Sequence, residues 1–137
     1  MIDEVNVLVL AAGNGSRMKS NAPKVLHDVA GQMMIDWVLD AVEPLSKNKP
    51  ITVIGVGAES VQAHVGSRSE FVLQSQQLGT GHAVQQAQSQ LESSHGVTLI
   101  MSGDTPMFRS KTLSEFIDEH KRSNNAVTVL TAIADDP

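Results

Sequence analysis

Two glycines and two basic residues near the start of the chain could bind a phosphate group. Gly13 and Gly15 follow an apolar segment, and Arg17 and Lys24 come shortly after them. Glycine has no Cβ and readily adopts positive φ, so backbone N–H groups can close around an anion there. Arginine and lysine supply the positive charge that a polyphosphate requires. The segment therefore predicts a nucleotide-binding loop.

Two common phosphate motifs do not fit this loop. A Walker A motif requires a glycine, four residues and then Gly-Lys-Ser/Thr, but Met18 stands where its second glycine belongs. The dinucleotide fingerprint Gly-x-Gly-x-x-Gly fails at the same residue. A strand-to-helix turn that happens to be rich in glycine is the simpler alternative, and it leaves Arg17 and Lys24 unexplained.

Asp104 is the second chemical signal, because it follows an apolar strand and Gly103. A carboxylate at the carboxyl end of a strand, opposite a phosphate loop, predicts a Mg²⁺ ligand. The metal would neutralise phosphate charge during transfer. One aspartate does not complete such a site, so phosphate, water or another protein group must supply further ligands. The alternative is that Asp104 only begins a turn or caps a short helix.

The third signal is the polar segment Gln74–Ala83, between a predicted strand and a predicted helix. Glutamine offers both a donor and an acceptor, which suits the edge of a uracil ring. Gly79 would let the backbone approach a base, and Thr80 places a hydroxyl at a helix N-terminus. On the residues alone, a polar loop with Thr80 as the N-cap is the simpler interpretation.

These segments lie within an alternating pattern of strands and helices. The predicted strands are Asn6–Ala11, Ile51–Val56, Phe71–Leu73, Val97–Met101 and Ala126–Ile133, and a long loop covers Gly13–Gly31. The predicted helices are Gln32–Leu45, Ala58–Val65, Thr80–Leu91 and Ser110–Arg122, with Ser110 as a capping residue. The pattern predicts an α/β fold with a Rossmann-like, doubly wound, mostly parallel sheet of order 3-2-1-4. This order brings the glycine loop and Asp104 to the same edge.

Composition narrows the class of protein. The 137 residues suit one domain, and a net charge of −5 argues against nucleic acid or an anionic membrane surface as the main partner. The absence of cysteine excludes disulfides, thiolate metal sites and cysteine nucleophiles. The apolar stretch Val7–Ala12 is far shorter than the ~20 residues that span a bilayer. A signal peptide is not evident either, so we expect a cytoplasmic protein.

The loop pattern Leu-Ala-Ala-Gly-x-Gly-x-Arg-Met at residues 10–18, followed by Pro-Lys at 23–24, resembles the sugar-nucleotide pyrophosphorylase (nucleotidyltransferase) family. Pro-Lys-Val-Leu-His at 23–27 and Leu-Gly-Thr-Gly-His-Ala at 78–83 resemble its bacterial N-acetylglucosamine-1-phosphate uridylyltransferase branch. With Gly103-Asp104, the resemblance covers nearly the whole chain. It implies that UTP and N-acetylglucosamine-1-phosphate react to UDP-N-acetylglucosamine and pyrophosphate with Mg²⁺.

The resemblance also implies roles for single residues. The uridine and ribose would contact Leu10, Ala11, Ala12 and Gly13, and the triphosphate would contact Gly15, Ser16 and Arg17. Uracil would be read by Gln74, Gly79 and Thr80. Asp104 would bind the metal, with Ser102 and Gly103 close to the ligand. No side-chain nucleophile is implied, because Arg17 and Lys24 would act by positioning and charge neutralisation.

The chain departs from the family pattern in three respects. Ser16 stands where the family usually has threonine, and Ser102 stands where this branch commonly has tyrosine. The family's transferase domain also continues beyond Pro137, with most of the sugar contacts, an asparagine metal ligand and, in the bifunctional enzymes, a separate acetyltransferase domain. We therefore expect residues 1–137 to be the N-terminal nucleotide-binding part of a truncated domain, a homo-oligomer through an exposed sheet edge.

Two alternatives stay open at this point. The first is another MobA-like or sugar-phosphate nucleotidyltransferase, which base preference would distinguish. The second is a non-catalytic nucleotide-binding or self-associating module, because half a sheet exposes strand edges and apolar surface.

Overall fold

The computed structural model describes residues 4–13, 15 and 22–135 of the chain. The strands are β1 (Val5–Ala11), β2 (Asp28–Val29), β3 (Gln32–Met33), β4 (Ile51–Ile54), β5 (Glu70–Leu73) and β6 (Val97–Ser102). The helices are α1 (Met34–Val42), α2 (Ala58–Val65), α3 (Thr80–Gln86), α4 (Gln88–Glu92) and α5 (Ser110–Ser123). Short 3-10 turns occupy Lys24–Leu26, Glu43–Leu45 and Gly66–Arg68.

Four of the strands form one parallel sheet in the order β5-β4-β1-β6. Counted along the chain, these are the predicted strands in the order 3-2-1-4, so the predicted α/β fold and topology are confirmed. In the interior strand β1, Leu10 is paired with Val53 of β4 on one side and with Ser102 of β6 on the other. The carboxyl ends of the four strands therefore meet at one edge of the sheet. β2 and β3 form a separate antiparallel hairpin.

The interior strand β1 is covered on both faces. Val7, Val9 and Ala11 belong to the main core, to which α1, α2 and α5 contribute. Leu8 and Ala12 belong to a smaller core with residues of α3 and α4. Because both faces of β1 are covered, residues 7–11 form a continuous apolar run without polar alternation.

The single tryptophan of the chain ties α1 to the β2–β3 hairpin. Trp37 Nε1 donates to the Val29 carbonyl at 2.8 Å. At the start of the helix, the Met34 N–H donates to the His27 carbonyl at 3.0 Å. Helix α1 thus anchors the segment that leaves the 3-10 turn at Lys24–Leu26.

Arg68 connects the turn after α2 to the acidic face of α1. Its guanidinium donates to Glu43, Asp40 and Asp36 at 2.8, 2.6 and 3.3 Å. The hydrogen bond to Glu43 is the main reason that the pKa of Arg68 is raised. The two helices are thereby joined on the side of the sheet where both contribute to the main core.

Predictions for the first half of the chain need correction at several boundaries. The loop predicted over Gly13–Gly31 contains a 3-10 turn and the strand β2. The helix predicted over Gln32–Leu45 begins at Met34, because the two residues before it pair with β2. Its α-helical part ends at Val42, and the following 3-10 turn contains Pro44. Proline fixes φ and lacks an N–H group, so it disfavours continuation of the helix.

The prediction of one helix over Thr80–Leu91 is wrong. The helix is divided at Ala87, whose φ of −91° and ψ of 5° leave the α region. The prediction that Ser110 caps α5 is also wrong, because Ser110 is the first helical residue and Arg109 takes the N-cap position without a side-chain cap bond.

One predicted strand is absent from the described chain and another is shorter than predicted. The segment Ala126–Ile133 is rich in β-branched residues but has no strand partner, and Val129 and Ile133 are exposed. An unpaired strand leaves its backbone hydrogen-bonding groups to water, so β-branched composition alone does not produce one. The strand predicted over Ile51–Val56 ends at Ile54, before a turn. No helix in the described ranges has the length and apolar character needed to cross a bilayer.

Leu39→Ala should lower the free energy of unfolding by about 2–5 kcal/mol, because Leu39 of α1 is fully buried and its loss leaves a cavity. Leu130→Ala is the matched control, since Leu130 lies in the unpaired segment and is 49% exposed. The control should change stability by less than about 0.5 kcal/mol. Urea unfolding followed by circular dichroism measures both. Equal losses would contradict the position of the 126–134 segment outside the core.

Candidate functional site

The carboxyl ends of β1 and β6 lie side by side and remain joined beyond the last strand pair. The Gly103 N–H donates to the Leu10 carbonyl at 2.8 Å. A Cβ on Gly103 would lie 3.1 Å from that oxygen and 3.1 Å from Val25 Cγ1. The missing side chain therefore allows the chain after β6 to approach β1 closely.

Lys24 and Asp104 form an ion pair at this edge. Lys24 Nζ lies 2.5 Å from Asp104 Oδ2, and Ser102 Oγ donates to Asp104 Oδ1 at 2.5 Å. Gly15 lies against the same lysine, since a Cβ on Gly15 would be 3.0 Å from Lys24 Cβ. Residues predicted to contact phosphate and metal thus meet in space, although 80 positions separate Lys24 from Asp104.

The ion pair favours the ionised form of Asp104. The hydrogen bond from Lys24, followed by that from Ser102, holds the pKa of the Asp104 carboxyl below its usual value. Asp104 is therefore ionised at neutral pH. The two side chains of the pair are 42% and 27% exposed, so water screens the attraction and the pair contributes about 1 kcal/mol or less to folding.

Asp104 and Ser102 could supply part of a magnesium ligand set. The Asp104 carboxylate and the Ser102 hydroxyl are oxygen donors, and Mg²⁺ at phosphate-transfer sites takes one or two carboxylates together with phosphate oxygens and water. Within residues 4–13, 15 and 22–135, no three His, Cys, Asp or Glu side chains gather into a metal site. A cation at Asp104 would need ligands from a bound phosphate and would share the carboxylate with Lys24.

A second polar cluster surrounds Gln74, just after β5. The side chain is buried, and its Nε2 donates to the Gly79 carbonyl at 3.2 Å and lies 2.9 Å from His82 Nδ1. The Gly79 carbonyl can only accept, so it fixes the orientation of the amide. Among the described residues, Gln74 Oε1 receives no hydrogen bond. The cluster therefore holds a glutamine in place with its acceptor free.

Gly55 and Gln77 connect this cluster to the end of β1, and the sequence analysis assigned neither to the site. Gln77 Nε2 donates to the Gln74 carbonyl at 3.1 Å. A Cβ on Gly55 would lie 2.9 Å from Gln77 Nε2 and 2.8 Å from the Ala12 carbonyl. A glycine directly after a buried strand is the sequence signal for such a close contact. Through Gly55 and Gln77, the end of β1 at Ala12 is connected to Gln74.

The structure thus groups most of the predicted site residues. The first group contains Leu10, Gly15, Lys24, Ser102, Gly103 and Asp104, and the second contains Ala12, Gln74 and Gly79. Ala11, at the end of β1, is buried in the main core. Ser16 and Arg17 lie outside the described residues, so their phosphate contacts stay predictions.

Thr80 is the first residue of α3, and Gly79 takes the N-cap position without a side-chain cap bond. The simpler interpretation of Thr80 as the N-cap is therefore wrong. Gly13 is open, since a Cβ there would meet no atom within 4 Å.

The site therefore has a glycine loop after the central strand and a carboxylate after the neighbouring strand. A lysine pairs with that carboxylate. The MobA-like NTP transferase domain matches residues 7–135. The chain belongs to this family. The match confirms the nucleotidyltransferase fold and the resemblance inferred from the loop motifs.

Two relatives are named bifunctional protein GlmU. The protein from Streptococcus mutans is 52% identical over 130 residues, which cover 95% of this chain and 28% of the relative. The protein from Lactobacillus delbrueckii subsp. bulgaricus is 50% identical over 134 residues, which cover 98% of this chain and 29% of the relative. The chain thus spans less than a third of each relative's length.

A solved structure supports the fold independently. UDP-glucose pyrophosphorylase from Acinetobacter baumanii superposes with a TM-score of 0.71 at 18% sequence identity, over 88% of this chain and 54% of that one. At this identity the likeness concerns the fold alone.

The stability contributed by the Lys24–Asp104 pair should depend on pH. Because the folded pKa of Asp104 lies below its usual value of 3.8, the contribution is present above that value and is lost as the pH falls through the folded pKa. Asp104→Asn should therefore cost up to about 1 kcal/mol at pH 7 and less near pH 2. Urea unfolding at both pH values measures the difference.

Asp118→Asn, on the exposed face of α5, is the control for this experiment. It removes a carboxylate that lies outside the ion pair, so the difference between the two variants isolates the contribution of the pair. An Asp104→Asn cost that is equal at both pH values would contradict the ion pair as its source.

Proposed function

We propose that this chain transfers a uridylyl group from UTP to N-acetylglucosamine-1-phosphate, giving UDP-N-acetylglucosamine and pyrophosphate. The main support is the Lys24–Asp104 pair at the carboxyl edge of the sheet of a nucleotidyltransferase domain. Kinship with proteins named GlmU and the uridylyltransferase-type motifs support the choice of substrates. A cytoplasmic location, Mg²⁺ as cofactor and residues 1–137 as the nucleotide-binding part of the domain belong to the same proposal.

The proposed reaction needs no side-chain nucleophile. An oxygen of the sugar phosphate bonds to the α-phosphorus of UTP, and the bond from that phosphorus to the bridging oxygen of the departing pyrophosphate breaks. Lys24 and, from the glycine loop, Arg17 would hold the phosphate charge in place. When bound at Asp104, Mg²⁺ supplies further neutralisation of that charge. The residues thus act by orientation and electrostatics.

Moving Lys24 from Asp104 to a phosphate is the step that this geometry supports. Without substrate, the ammonium lies against the carboxylate. A polyphosphate is a stronger attraction for an ammonium than one partly exposed carboxylate, because it carries several negative charges. Release of Lys24 would leave the ionised Asp104 carboxylate available as a ligand, so nucleotide and metal would bind together.

Selection of uracil is proposed to come from the Gln74 cluster. With its Nε2 engaged by Gly79 and His82, Gln74 presents Oε1, which accepts a hydrogen bond. The N3 of uracil carries a hydrogen and matches this acceptor, whereas the N3 of cytosine is itself an acceptor. The backbone at Leu10–Gly13 would face the nucleoside, and Thr80 would lie at its rim.

Pyrophosphate release from UTP and N-acetylglucosamine-1-phosphate with Mg²⁺ tests the enzymatic proposal. Asp104→Ala and Lys24→Ala should each lower the rate by roughly a hundredfold or more, because each removes charge stabilisation in the transition state. Asp118→Ala and Lys49→Ala are the matched controls, since both residues are exposed and outside the site. Full activity of both site variants would overturn the assignments.

The same assay with CTP and GTP in place of UTP tests base selection. The chain should prefer UTP over CTP by about 1–3 kcal/mol, since CTP would leave acceptors facing each other. Gln74→Ala should lose this preference. A preference for GTP or CTP would support the runner-up, another MobA-like or sugar-phosphate nucleotidyltransferase.

A second candidate function, a self-associating nucleotide-binding module, is supported by exposed apolar side chains. Ile100 of the edge strand β6 and Val127, Val129 and Ile133 of the unpaired segment are all exposed. Exposed strand edges and apolar patches favour association. Sedimentation velocity should then show a dimer or larger species, and Ile100→Lys should shift it towards monomer. A monomer with full turnover would contradict this candidate.

A further inference from the structure

Gly57 begins α2 with its backbone pressed against a proline of the basic turn. Its φ of 68° and ψ of 26° are left-handed, and it takes the N-cap position of the helix. A Cβ on Gly57 would lie 2.2 Å from Pro23 Cγ and 3.1 Å from Pro23 Cδ. A side chain therefore cannot be added at this position unless the proline ring moves.

Pro23 passes this contact directly to Lys24. The ring is buried, its φ is −52°, and its carbonyl accepts a hydrogen bond from the Leu26 N–H at 3.0 Å, which closes the 3-10 turn. Lys24 is the first residue of that turn. Because the turn is closed and proline restricts its own φ, movement of the ring also moves the Lys24 backbone.

The opposite side of the turn is equally confined. Val25 is buried in the main core and its side chain packs against the backbone of Gly103. Lys24 Cβ packs against the backbone of Gly15. The turn is therefore held between the start of α2 on one side and the residues after β1 and β6 on the other. A side chain at residue 57 that displaced the Pro23 ring would therefore shift Lys24 relative to Asp104.

We propose that Gly57 is a positioning residue whose bare α-carbon sets the place of the Lys24 ammonium relative to the Asp104 carboxylate. This inference rests on the proposed function, in which the two groups handle phosphate and metal. Gly57 touches neither substrate nor reacting atoms, and it acts through the Pro23 ring. A purely structural role of Gly57, as a left-handed turn residue, makes a different prediction, because it does not involve Pro23.

A double-mutant cycle with Gly57→Ala and Pro23→Ala separates the two roles. The left-handed backbone strain is the same in Gly57→Ala with and without Pro23→Ala, whereas the ring contact exists only when proline is present. Gly66→Ala is the control for strain, because Gly66 also has positive φ, 57°, but a Cβ there meets nothing within 4 Å.

The first readout needs no nucleotide. Acylation of Lys24 by an amine-reactive ester is measured by mass spectrometry relative to exposed Lys49 in the same molecule. Gly57→Ala should raise relative Lys24 labelling severalfold, because the ammonium leaves Asp104. The double variant should match Pro23→Ala alone, and Gly66→Ala should match the unmodified chain. Equal effects of Gly57→Ala with and without the Pro23 ring, or unchanged labelling, would overturn the proposal.

The second readout is calorimetric titration with Mg²⁺ and UTP. Gly57→Ala should weaken binding by roughly tenfold to a hundredfold, and removal of the Pro23 ring should restore most of the loss. If Gly57→Ala alone does not fold, recovery of folding in the double variant supports the contact, and failure of the double variant to fold as well overturns it, because backbone strain at residue 57 then accounts for the loss. Absence of UTP binding in the unmodified chain contradicts the proposed function, while the labelling cycle still decides the role of Gly57.

Discussion

The pairing and burial of β1 are the constraint on which the rest of the structure depends. This strand is bonded to β4 on one side and β6 on the other, and it contributes side chains to the cores on both faces. Its register with both neighbours places Leu10 opposite Ser102 and Val53. The segments that carry the glycine loop, Asp104 and Gln77 are all positioned relative to the end of this one strand.

The central ion pair of the site contributes little to stability and is positioned by the rest of the fold. Lys24 and Asp104 are partly exposed, and such pairs contribute about 1 kcal/mol or less. Their geometry comes from contacts with the backbone of glycines: Gly103 against β1, Gly15 against Lys24 and Gly57 against Pro23. A weak pair in a rigid frame can exchange partners at low cost, which suits the proposed transfer of Lys24 from a carboxylate to a phosphate.

The sequence predicted those parts of the structure that have strong local signals. Helix α2 has its predicted bounds and β1 begins one residue before its predicted start. The doubly wound order brings the ends of β1 and β6, and with them the glycine loop and Asp104, to one edge as predicted. The segment Ala126–Ile133 misled because a run of apolar and β-branched residues forms a strand only when a neighbouring strand is present to complete its hydrogen bonds. Such pairing is a property of the tertiary structure, and no local pattern contains it.

Contacts between glycines and residues far away along the chain could likewise not be predicted from the sequence. Gly55 lies within the strand predicted over Ile51–Val56 and Gly57 directly after it, while their partners Ala12, Gln77 and Pro23 lie far along the chain. The division of the predicted helix at Ala87 has no proline or glycine to signal it. Packing against β1 decides these details.

Trp37 gives this chain an optical property that follows from its hydrogen bond to Val29. With one tryptophan and no tyrosine, nearly all ultraviolet emission of the protein comes from a single indole. That indole is bonded to the hairpin that directly follows the Lys24–Leu26 turn. Release of the carbonyl would change the polarity around the ring and therefore the wavelength of its emission, so the chain carries a fluorescent reporter of the hairpin that follows Lys24.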